Sequence, residues 1–206
     1  GIGLQKSLSI FENLKNKLDI PLLTDVHSPD QCKIISEVVD IIQIPAFLSR
    51  QTDLLLAAGE TQKPVNIKKG QFLSPKDMMK VAEKVSSTGN DNIFLCERGT
   101  SFGYNTLIND FRGLEIMAET GYPVIFDATH SVQQPSILGE KSGGERQFIP
   151  SLSRAACAIG VSGLFIETHE NPDLAPSDGA NMLNINDLPN LIPTLLSIDN
   201  VIKNKT

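Results

Sequence analysis

Residues 123–130 read PVIFDATH. Three large apolar residues, Val124 to Phe126, run directly into an aspartate and end at His130. Short apolar runs of this kind are typical of buried parallel strands. In α/β proteins, ligand-binding groups collect at the carboxyl ends of such strands. The stretch therefore predicts a buried strand with a chemically active end.

Five further apolar runs end in the same way, in residues that can bind an anion, move a proton or hold a metal. Most are followed by an amphipathic helical stretch, which is the pattern of repeated βα units. In a (β/α) barrel all strand ends meet on one face, whereas in an open doubly wound sheet only those near the switch point do. Polar ends on all the runs favour the barrel. The five runs are LLTDVH at 22–27, DIIQIPAF at 40–47, VNIKK at 65–69, IFLCERG at 93–99 and GLFIETH at 163–169.

The predicted fold is thus an α/β protein, a (β/α)8 TIM barrel, forming one domain over residues 1–206. The chain starts with a helix-like segment, and no strand pattern precedes it. We therefore expect about six of the eight βα units in this sequence and two N-terminal units outside it. The predicted N-terminal helix carries on one face Leu4, Leu8, Phe11, Leu14 and Leu18.

Serine-proline pairs at Ser28-Pro29 and Ser74-Pro75 are typical of helix starts. Residues 133–147, rich in glycine and with Pro135, are predicted to form a mobile active-site loop. Predicted helices cover 29–39, 51–58, 75–87, 106–120, 147–159 and 186–198.

Composition favours a cytoplasmic protein that acts on small molecules. The net charge of -6, with no cluster of basic residues beyond Lys68-Lys69, argues against nucleic acid or a membrane surface as partner. Cys32, Cys96 and Cys157 are odd in number and far apart, which indicates reduced thiols. No apolar run is long enough for a membrane span, and no secretory signal is found at the N-terminus.

Cations end two neighbouring strand runs: Lys68 and Lys69 end one, and Arg98 ends the next. Fixed positive charges at such ends suit a phosphate or carboxylate ligand. Alternatively, Lys69 is solvated and Arg98 only pairs with Glu97 or Asp127.

A metal site is a further hypothesis, with His130 and Glu167 at successive strand ends and Asp178 in the following loop. Imidazole plus two carboxylates suits zinc, iron or manganese. His169 competes as a ligand because it follows Glu167 by two residues. Structural or acid-base roles for these groups stay open.

Other polar groups give weaker signals. Asp25 and His27 share one side of a strand end and can act as a base or, more simply, support a lysine. Gln43 and Arg50 flank a turn in which Phe47 can wall a pocket, although Arg50 can equally be a surface residue. A further anion cradle is the glycine loop 142–144 with Arg146 behind it. Nucleotide, acyl-transfer and thiol-redox motifs are absent from the sequence.

Taken in order, the strand-end segments resemble the 3-deoxy-D-manno-octulosonate 8-phosphate synthase family. The resemblance covers residues 1 to about 198, roughly the last three quarters of a family member. PAFLSRQTDL and ERGTSFGYN are the most discriminating segments. The matching segments are TDVH, IQIPAFLSRQTDL, NIKKGQF, CERGTSFGYN, FDATHSVQQP, SGGERQF, GLFIETHENPD and SDGANML.

The resemblance implies a homotetrameric barrel enzyme that condenses phosphoenolpyruvate with D-arabinose 5-phosphate, for the inner core of lipopolysaccharide. It implies that Lys68 and Arg98 bind the phosphate and carboxylate of phosphoenolpyruvate, that Ala46 and Phe47 form the pocket wall, and that Arg50 reaches a neighbouring subunit's sugar-phosphate site. The substrate-site and catalytic sets together comprise Asp25, Gln43, Ala46, Phe47, Arg50, Lys68, Arg98, His130 and Asp178.

The metal-dependent branch of this family binds a divalent ion with residues matching His130, Glu167 and Asp178, and with a cysteine from a strand that this sequence lacks. The other branch has asparagine there and needs no metal. Ser177, where the metal-free branch usually has cysteine, favours the metal-dependent branch. Two alternatives stay open: a 3-deoxy-D-arabino-heptulosonate 7-phosphate synthase, and a non-catalytic anion-binding barrel fragment.

Overall fold

The computed structural model describes residues 2–135 and 143–204. The chain forms two compact units, one of Gly1–Gly70 with Asp77–Leu95 and the other of Gln71–Lys76 with Cys96–Thr206. Helices alternate with parallel strands in both units, so the predicted α/β class is confirmed. Eight units and barrel closure stay predictions. In the described part of the chain, no helix is both long and apolar enough to cross a membrane.

The first unit contains strands β1 to β3, the start of β4, and four helices. The strand order is β1-β2-β3-β4, and both β1 with β2 and β2 with β3 pair in parallel. The strands are β1 Leu23–Asp25, β2 Ile41–Ile44, β3 Val65–Lys68 and β4 Ile93–Glu97, of which the first three residues belong here. The helices are α1 Leu4–Lys17, α2 Pro29–Ser36, α3 Thr52–Glu60 and α4 Asp77–Ser86.

Alternation along β2 and β3 separates an apolar set from a polar set. Ile42, Ile44, Val65 and Ile67 are fully buried, and each contributes about 1.5–3 kcal/mol relative to an exposed side chain. The residues between them, Gln43 and Asn66, are polar and belong to the opposite face because successive strand side chains alternate. Helix α1 confirms the predicted N-terminal helix, but none of its residues is buried. Lys15 Nζ lies 2.7 Å from Asp40 Oδ1 and ties the helix to the loop before β2.

The second unit contains the end of β4, two more main strands and three helices. Following the last residues of β4, the strand order continues with β5 Val124–Asp127 and β6 Gly163–Phe165, which pair in parallel. The helices are α5 Arg112–Ala118, α6 Ile149–Ile159 and α7 Leu188–Lys203. Short ribbons join Thr100–Ser101 to Leu107–Ile108, Gln133–Gln134 to Gly143–Gly144, and Thr168–His169 to Leu183–Asn184.

All six predicted strands are present, but two predicted segments differ. The helix expected from residue 106 begins at Arg112, because Leu107–Ile108 pairs in a ribbon and the Asp110 carboxylate accepts from Arg112 N at 3.1 Å. The expected irregular loop 133–147 instead starts and ends in the ribbon of Gln133–Gln134 with Gly143–Gly144. Its central part, 136–142, lies outside the described residues, and its mobility stays a prediction.

Candidate functional site

Strand β3 carries the two lysines of the first unit. Lys68 is its last residue, and Lys69 follows it. Lys68 is 6% exposed and Lys69 is fully buried, so the alternative that Lys69 is solvated is wrong. Burying an ammonium group is costly unless acceptors or anions compensate. Both lysines are therefore buried in the first unit, which is consistent with a role in binding an anion.

A row of polar side chains crosses β1, β2 and β3. Asp25 lies opposite Gln43, and Gln43 lies opposite Asn66. Gln43 Nε2 donates to Asp25 Oδ1 at 2.7 Å, and Asn66 Nδ2 donates to Gln43 Oε1 at 2.7 Å. Asp25 and Gln43, which were predicted separately as substrate-site residues, are thus brought together, and a third residue, Asn66, joins them.

The turn after β2 positions the predicted pocket wall. Pro45 leads into the short 3-10 helix Ala46–Leu48, and Ser49 Oγ donates to Ala46 O at 2.8 Å. Ala46 is buried, whereas Phe47 is 75% exposed. Arg50 is also exposed. The turn thus presents an aromatic ring and a cation outward, as a ligand wall or a subunit contact requires.

Arg98 is the buried cation of the second unit. Its side chain is 3% exposed, and Nη2 donates to Gln133 Oε1 at 2.8 Å. Among the described residues, Nε and Nη1 are buried without a hydrogen-bond partner. Burial lowers the pKa of the guanidinium, and the charge of Asp127 opposes this shift. Guanidinium stays protonated in proteins, so both nitrogens keep their donor hydrogens.

Glu97 shapes the turn that carries Arg98. Its Oε1 accepts from Arg98 N at 3.1 Å and from Gly99 N at 2.6 Å. Gly99 has φ +94, a left-handed conformation that glycine adopts without strain. The Glu97 carboxylate therefore stabilises the backbone turn at Arg98 and Gly99, whereas the sequence suggested only an ion pair with Arg98.

His130 is held by Asp127 at the end of β5. Asp127 Oδ1 accepts from His130 N at 2.9 Å, and Oδ2 lies 2.7 Å from His130 Nδ1. An ionised carboxylate beside Nδ1 favours the tautomer that carries its proton there. The other ring nitrogen, Nε2, lies 3.6 Å from Glu167 Oε1. The carboxylate–histidine pair leaves Nε2 suited to a cation or a proton.

Glu167 and Asp178 are positioned by neighbours that the sequence did not single out. Thr129 Oγ1 accepts from Glu167 N at 2.7 Å, and Gln133 Nε2 donates to Asp178 Oδ1 at 2.8 Å. Asp178 has φ +53, and the next residue must be glycine because a Cβ on Gly179 would lie 2.1 Å from Pro172 O.

The arrangement of these side chains fits the predicted metal site only in part. His130 Nε2 and Glu167 Oε1 lie 3.6 Å apart. Asp178 instead bonds Gln133, and no three His, Cys, Asp or Glu side chains of residues 2–135 and 143–204 form a metal-holding group. The competing ligand His169 accepts from Asn171 N at 2.9 Å, within its own turn.

Gly144, which was predicted to be part of an anion-binding loop, allows close packing of two segments. A Cβ on Gly144 would lie 2.6 Å from Asn181 Cβ, so the ribbon can approach this segment only with glycine. Arg146, behind it, pairs with Asp173. Ser142 lies outside the described residues.

Five residues around these groups were not proposed as site residues from sequence. Asn66 gave a signal, a polar residue inside an otherwise apolar strand run. Asp127 lies only three residues before His130, so its contact is local. The other three depend on contacts distant in sequence, which spacing does not reveal. The five residues are Asn66, Asp127, Thr129, Gln133 and Asn181.

Comparisons with known proteins give one consistent result. Residues 1–204 match the model of the DAHP synthetase I family. The chain is 59% identical over 203 residues to a 2-dehydro-3-deoxyphosphooctonate aldolase of Agrobacterium fabrum, covering 98% of this chain and 72% of that protein. It is 58% identical over 205 residues to a protein of the same name from Bartonella bacilliformis, covering 100% of this chain and 73% of that protein.

Proposed function

Because this chain belongs to the DAHP synthetase I family, we propose that it is a transferase with the activity for which its most similar relatives are named. It condenses phosphoenolpyruvate with D-arabinose 5-phosphate and water, giving 3-deoxy-D-manno-octulosonate 8-phosphate and inorganic phosphate. The product supplies the inner core of lipopolysaccharide.

The observation that carries the proposal is the buried guanidinium of Arg98, whose Nε and Nη1 have no hydrogen-bond partner among the described residues. A planar guanidinium binds phosphate or carboxylate through two parallel hydrogen bonds. Both proposed substrates are phosphate esters, and phosphoenolpyruvate adds a carboxylate. Anionic oxygens at Nε and at Nη1, which lie on different edges of the guanidinium, would satisfy the donors that have no partner among the described residues.

The reaction joins two anions that repel each other, so fixed cations lower its cost. In the proposed sequence, the C2–C3 π electrons of phosphoenolpyruvate form a bond from C3 to the sugar aldehyde carbon, whose oxygen takes up a proton. Water adds at C2 and loses a proton. Phosphate then leaves C2 from the tetrahedral intermediate, and the ketone forms. In this reaction, Arg98 and Lys68 bind anionic groups of phosphoenolpyruvate.

His130 is the proposed proton carrier or cation ligand, since Asp127 favours a proton on Nδ1 and leaves Nε2 as the basic nitrogen of the ring. His130 and Glu167, with Asp178, are the residues that would hold a divalent zinc, iron or manganese ion. Such an ion, when bound, supplies Lewis-acid or template chemistry. Asp127 and Thr129 orient the first two groups.

The turn after β2 has two proposed roles. Ala46 and Phe47 form the wall beside the substrate, supported by the burial of the alanine and the 75% exposure of the phenylalanine. Arg50, exposed at the end of the same turn, reaches the sugar-phosphate site of a neighbouring subunit in a homotetramer.

The function is tested by measuring the phosphate that the protein releases from phosphoenolpyruvate. We expect release only when phosphoenolpyruvate and D-arabinose 5-phosphate are both present. Equal or faster turnover with erythrose 4-phosphate would favour the heptulosonate enzyme instead. Absence of turnover with either sugar would support the non-catalytic alternative.

The metal requirement has a separate test. Chelation, confirmed by elemental analysis, should abolish phosphate release, and a divalent ion should restore it. Full activity after proven removal of the metal would place the protein in the metal-free branch.

A further inference from the structure

Gln133 contacts a cation and a carboxylate with the two ends of one amide. Its Oε1 accepts from Arg98 Nη2 at 2.8 Å, and its Nε2 donates to Asp178 Oδ1 at 2.8 Å. All three residues belong to the second unit, and we call their arrangement the Gln133 bridge. A neutral side chain thus joins two groups of opposite charge.

The backbone on both sides of Gln133 is held by two asparagines. Asn109 Nδ2 donates to Ser131 O at 3.0 Å, and Asn109 Oδ1 accepts from Ser131 Oγ at 2.9 Å. Asn105 Nδ2 donates to Pro135 O at 2.7 Å. Anchors two residues before and two residues after Gln133 therefore fix the position from which its side chain extends.

The charge of Asp178 determines which way the amide of Gln133 points. An ionised carboxylate only accepts hydrogen bonds, so Gln133 must turn its NH2 group toward Asp178. Its carbonyl oxygen then faces Arg98 and accepts from Nη2. The reverse orientation would place NH2 hydrogens against the guanidinium, and both hydrogen bonds would be lost.

The carbonyl oxygen of Gln133 leaves Arg98 its positive charge and most of its donors. A guanidinium has five N–H donors, two of them on Nη2, and the bridge uses one. Nε and Nη1 have no hydrogen-bond partner among the described residues. Whichever Nη2 hydrogen the bridge uses, the other lies beside Nε or Nη1 and completes an edge with two donors. A carboxylate in place of the amide would instead compete with an anionic ligand for the charge of Arg98.

We propose that Gln133 is a positioning residue of the anion site: it orients the Arg98 guanidinium without neutralising it, and Asp178 sets the direction of its amide. Asp178 therefore strengthens anion binding at Arg98, although its own charge is negative. The proposal rests on the proposed function only in taking phosphoenolpyruvate as the anion that Arg98 binds.

A double-mutant cycle with Gln133→Leu and Asp178→Asn tests this. The Kd of phosphoenolpyruvate is measured by calorimetry with a chelator present, so that no divalent ion alters the charge at Asp178, and the Tm is measured in parallel. Gln133→Leu removes both hydrogen bonds and should weaken binding about tenfold. Asp178→Asn lets the amide reverse and should weaken binding about threefold, whereas the loss of a negative charge alone would tighten it.

In the Gln133→Leu background, Asp178→Asn should not weaken binding, because only the change of charge then acts on the ligand. The same loss in both backgrounds would overturn the proposal, since Asp178 would then act without Gln133. Tighter binding by Asp178→Asn in the wild-type background would overturn it as well. So would a lowered Tm with a wild-type Kd in Gln133→Leu, which is the result expected of a purely structural bridge.

Gln133→Glu is the second variant if Gln133→Leu fails to fold. It keeps the size of the side chain but places a carboxylate against Arg98, so it should weaken binding about tenfold, and a wild-type Kd would refute the proposal. Gln134→Glu is the matched control. It adds the same charge on the opposite side of the short strand Gln133–Gln134 and should change the Kd less than about threefold.

Phosphate release is assayed separately from binding. An inactive wild type that shows these Kd changes refutes the proposed function and leaves the Gln133 bridge supported. An active wild type in which Asp178→Asn causes equal losses in both backgrounds refutes only the role of the bridge.

Discussion

The polar groups of the two units differ in where they lie and in how they are held. In the first unit they belong to the strands, and neutral amides link them in register from Asp25 to Asn66. In the second unit, Arg98 and His130 lie in the turns after the strands, held by Gln133 and Asp127. Changes to the amides of the first unit should alter orientation, whereas a change at Arg98 removes a buried guanidinium charge directly. We therefore expect the larger catalytic losses in the second unit.

Arg98→Met should produce the largest loss, about a thousandfold in kcat/KM for phosphate release, because it removes fixed donors from a buried site. Arg112→Met is the matched control in the same unit. That side chain is 87% exposed and pairs with Asp110, so its activity should stay within about twofold of wild type. Similar losses in the two variants would remove Arg98 from the proposed site.

Asp127→Asn should reduce kcat/KM about a hundredfold, since an amide nitrogen facing His130 Nδ1 forces the ring proton to Nε2. Nitrogen NMR of the imidazole would report the change of tautomer. Asp173→Asn, at a side chain that is 77% exposed, serves as control and should leave activity within about twofold. An unchanged tautomer in Asp127→Asn would contradict the assigned role of the carboxylate.

Lys68→Met tests the first unit and should reduce kcat/KM about thirtyfold, mainly through KM for phosphoenolpyruvate, because one charged hydrogen bond is lost. Lys80→Met is the control on the exposed side of α4, where no effect on KM is expected. A loss larger than that of Arg98→Met would reverse the proposed ranking of the two units.

The strands were predictable because a buried parallel strand has a local sequence pattern, an apolar run that ends in polar residues. Six apolar runs with polar ends specified β1 to β6, and alternation placed Asp25 and His27 on one side of a strand end. The helix expected over 106–120 was too long, because ribbon pairing by Leu107–Ile108 depends on a partner outside the apolar pattern. The periodicity of one segment does not show which other segment pairs with it.

The site was predictable only as a set of residue types. His130, Glu167 and Arg98 follow strands, which is visible in the sequence. The hydrogen bonds of Gln133 to both Arg98 and Asp178 span separations of 35 and 45 residues, so no spacing rule reveals them. Whether these groups bind the proposed substrates and metal stays a prediction for the variants above.

The smallest expected effect concerns stability and compares one surface ion pair from each unit. In the first unit, Asp40 accepts from Lys15 Nζ at 2.7 Å and from Leu22 N at 2.9 Å, and the Lys15 hydrogen bond lowers the pKa of Asp40 below its usual 3.8. Because the folded pKa is the lower one, the added stability is present above the unfolded value and is lost as pH falls through the folded value. Asp40→Asn should therefore lower the free energy of unfolding by up to about 1 kcal/mol at pH 7, a partly exposed pair being screened by solvent. Denaturant titrations should show this difference shrinking below pH 4, and they should show a smaller difference at pH 7 in the control Asp173→Asn of the second unit, whose side chain is 77% exposed. A loss in Asp40→Asn that persists at pH 2 would mean that packing, and not the charge, ties α1 to the start of β1.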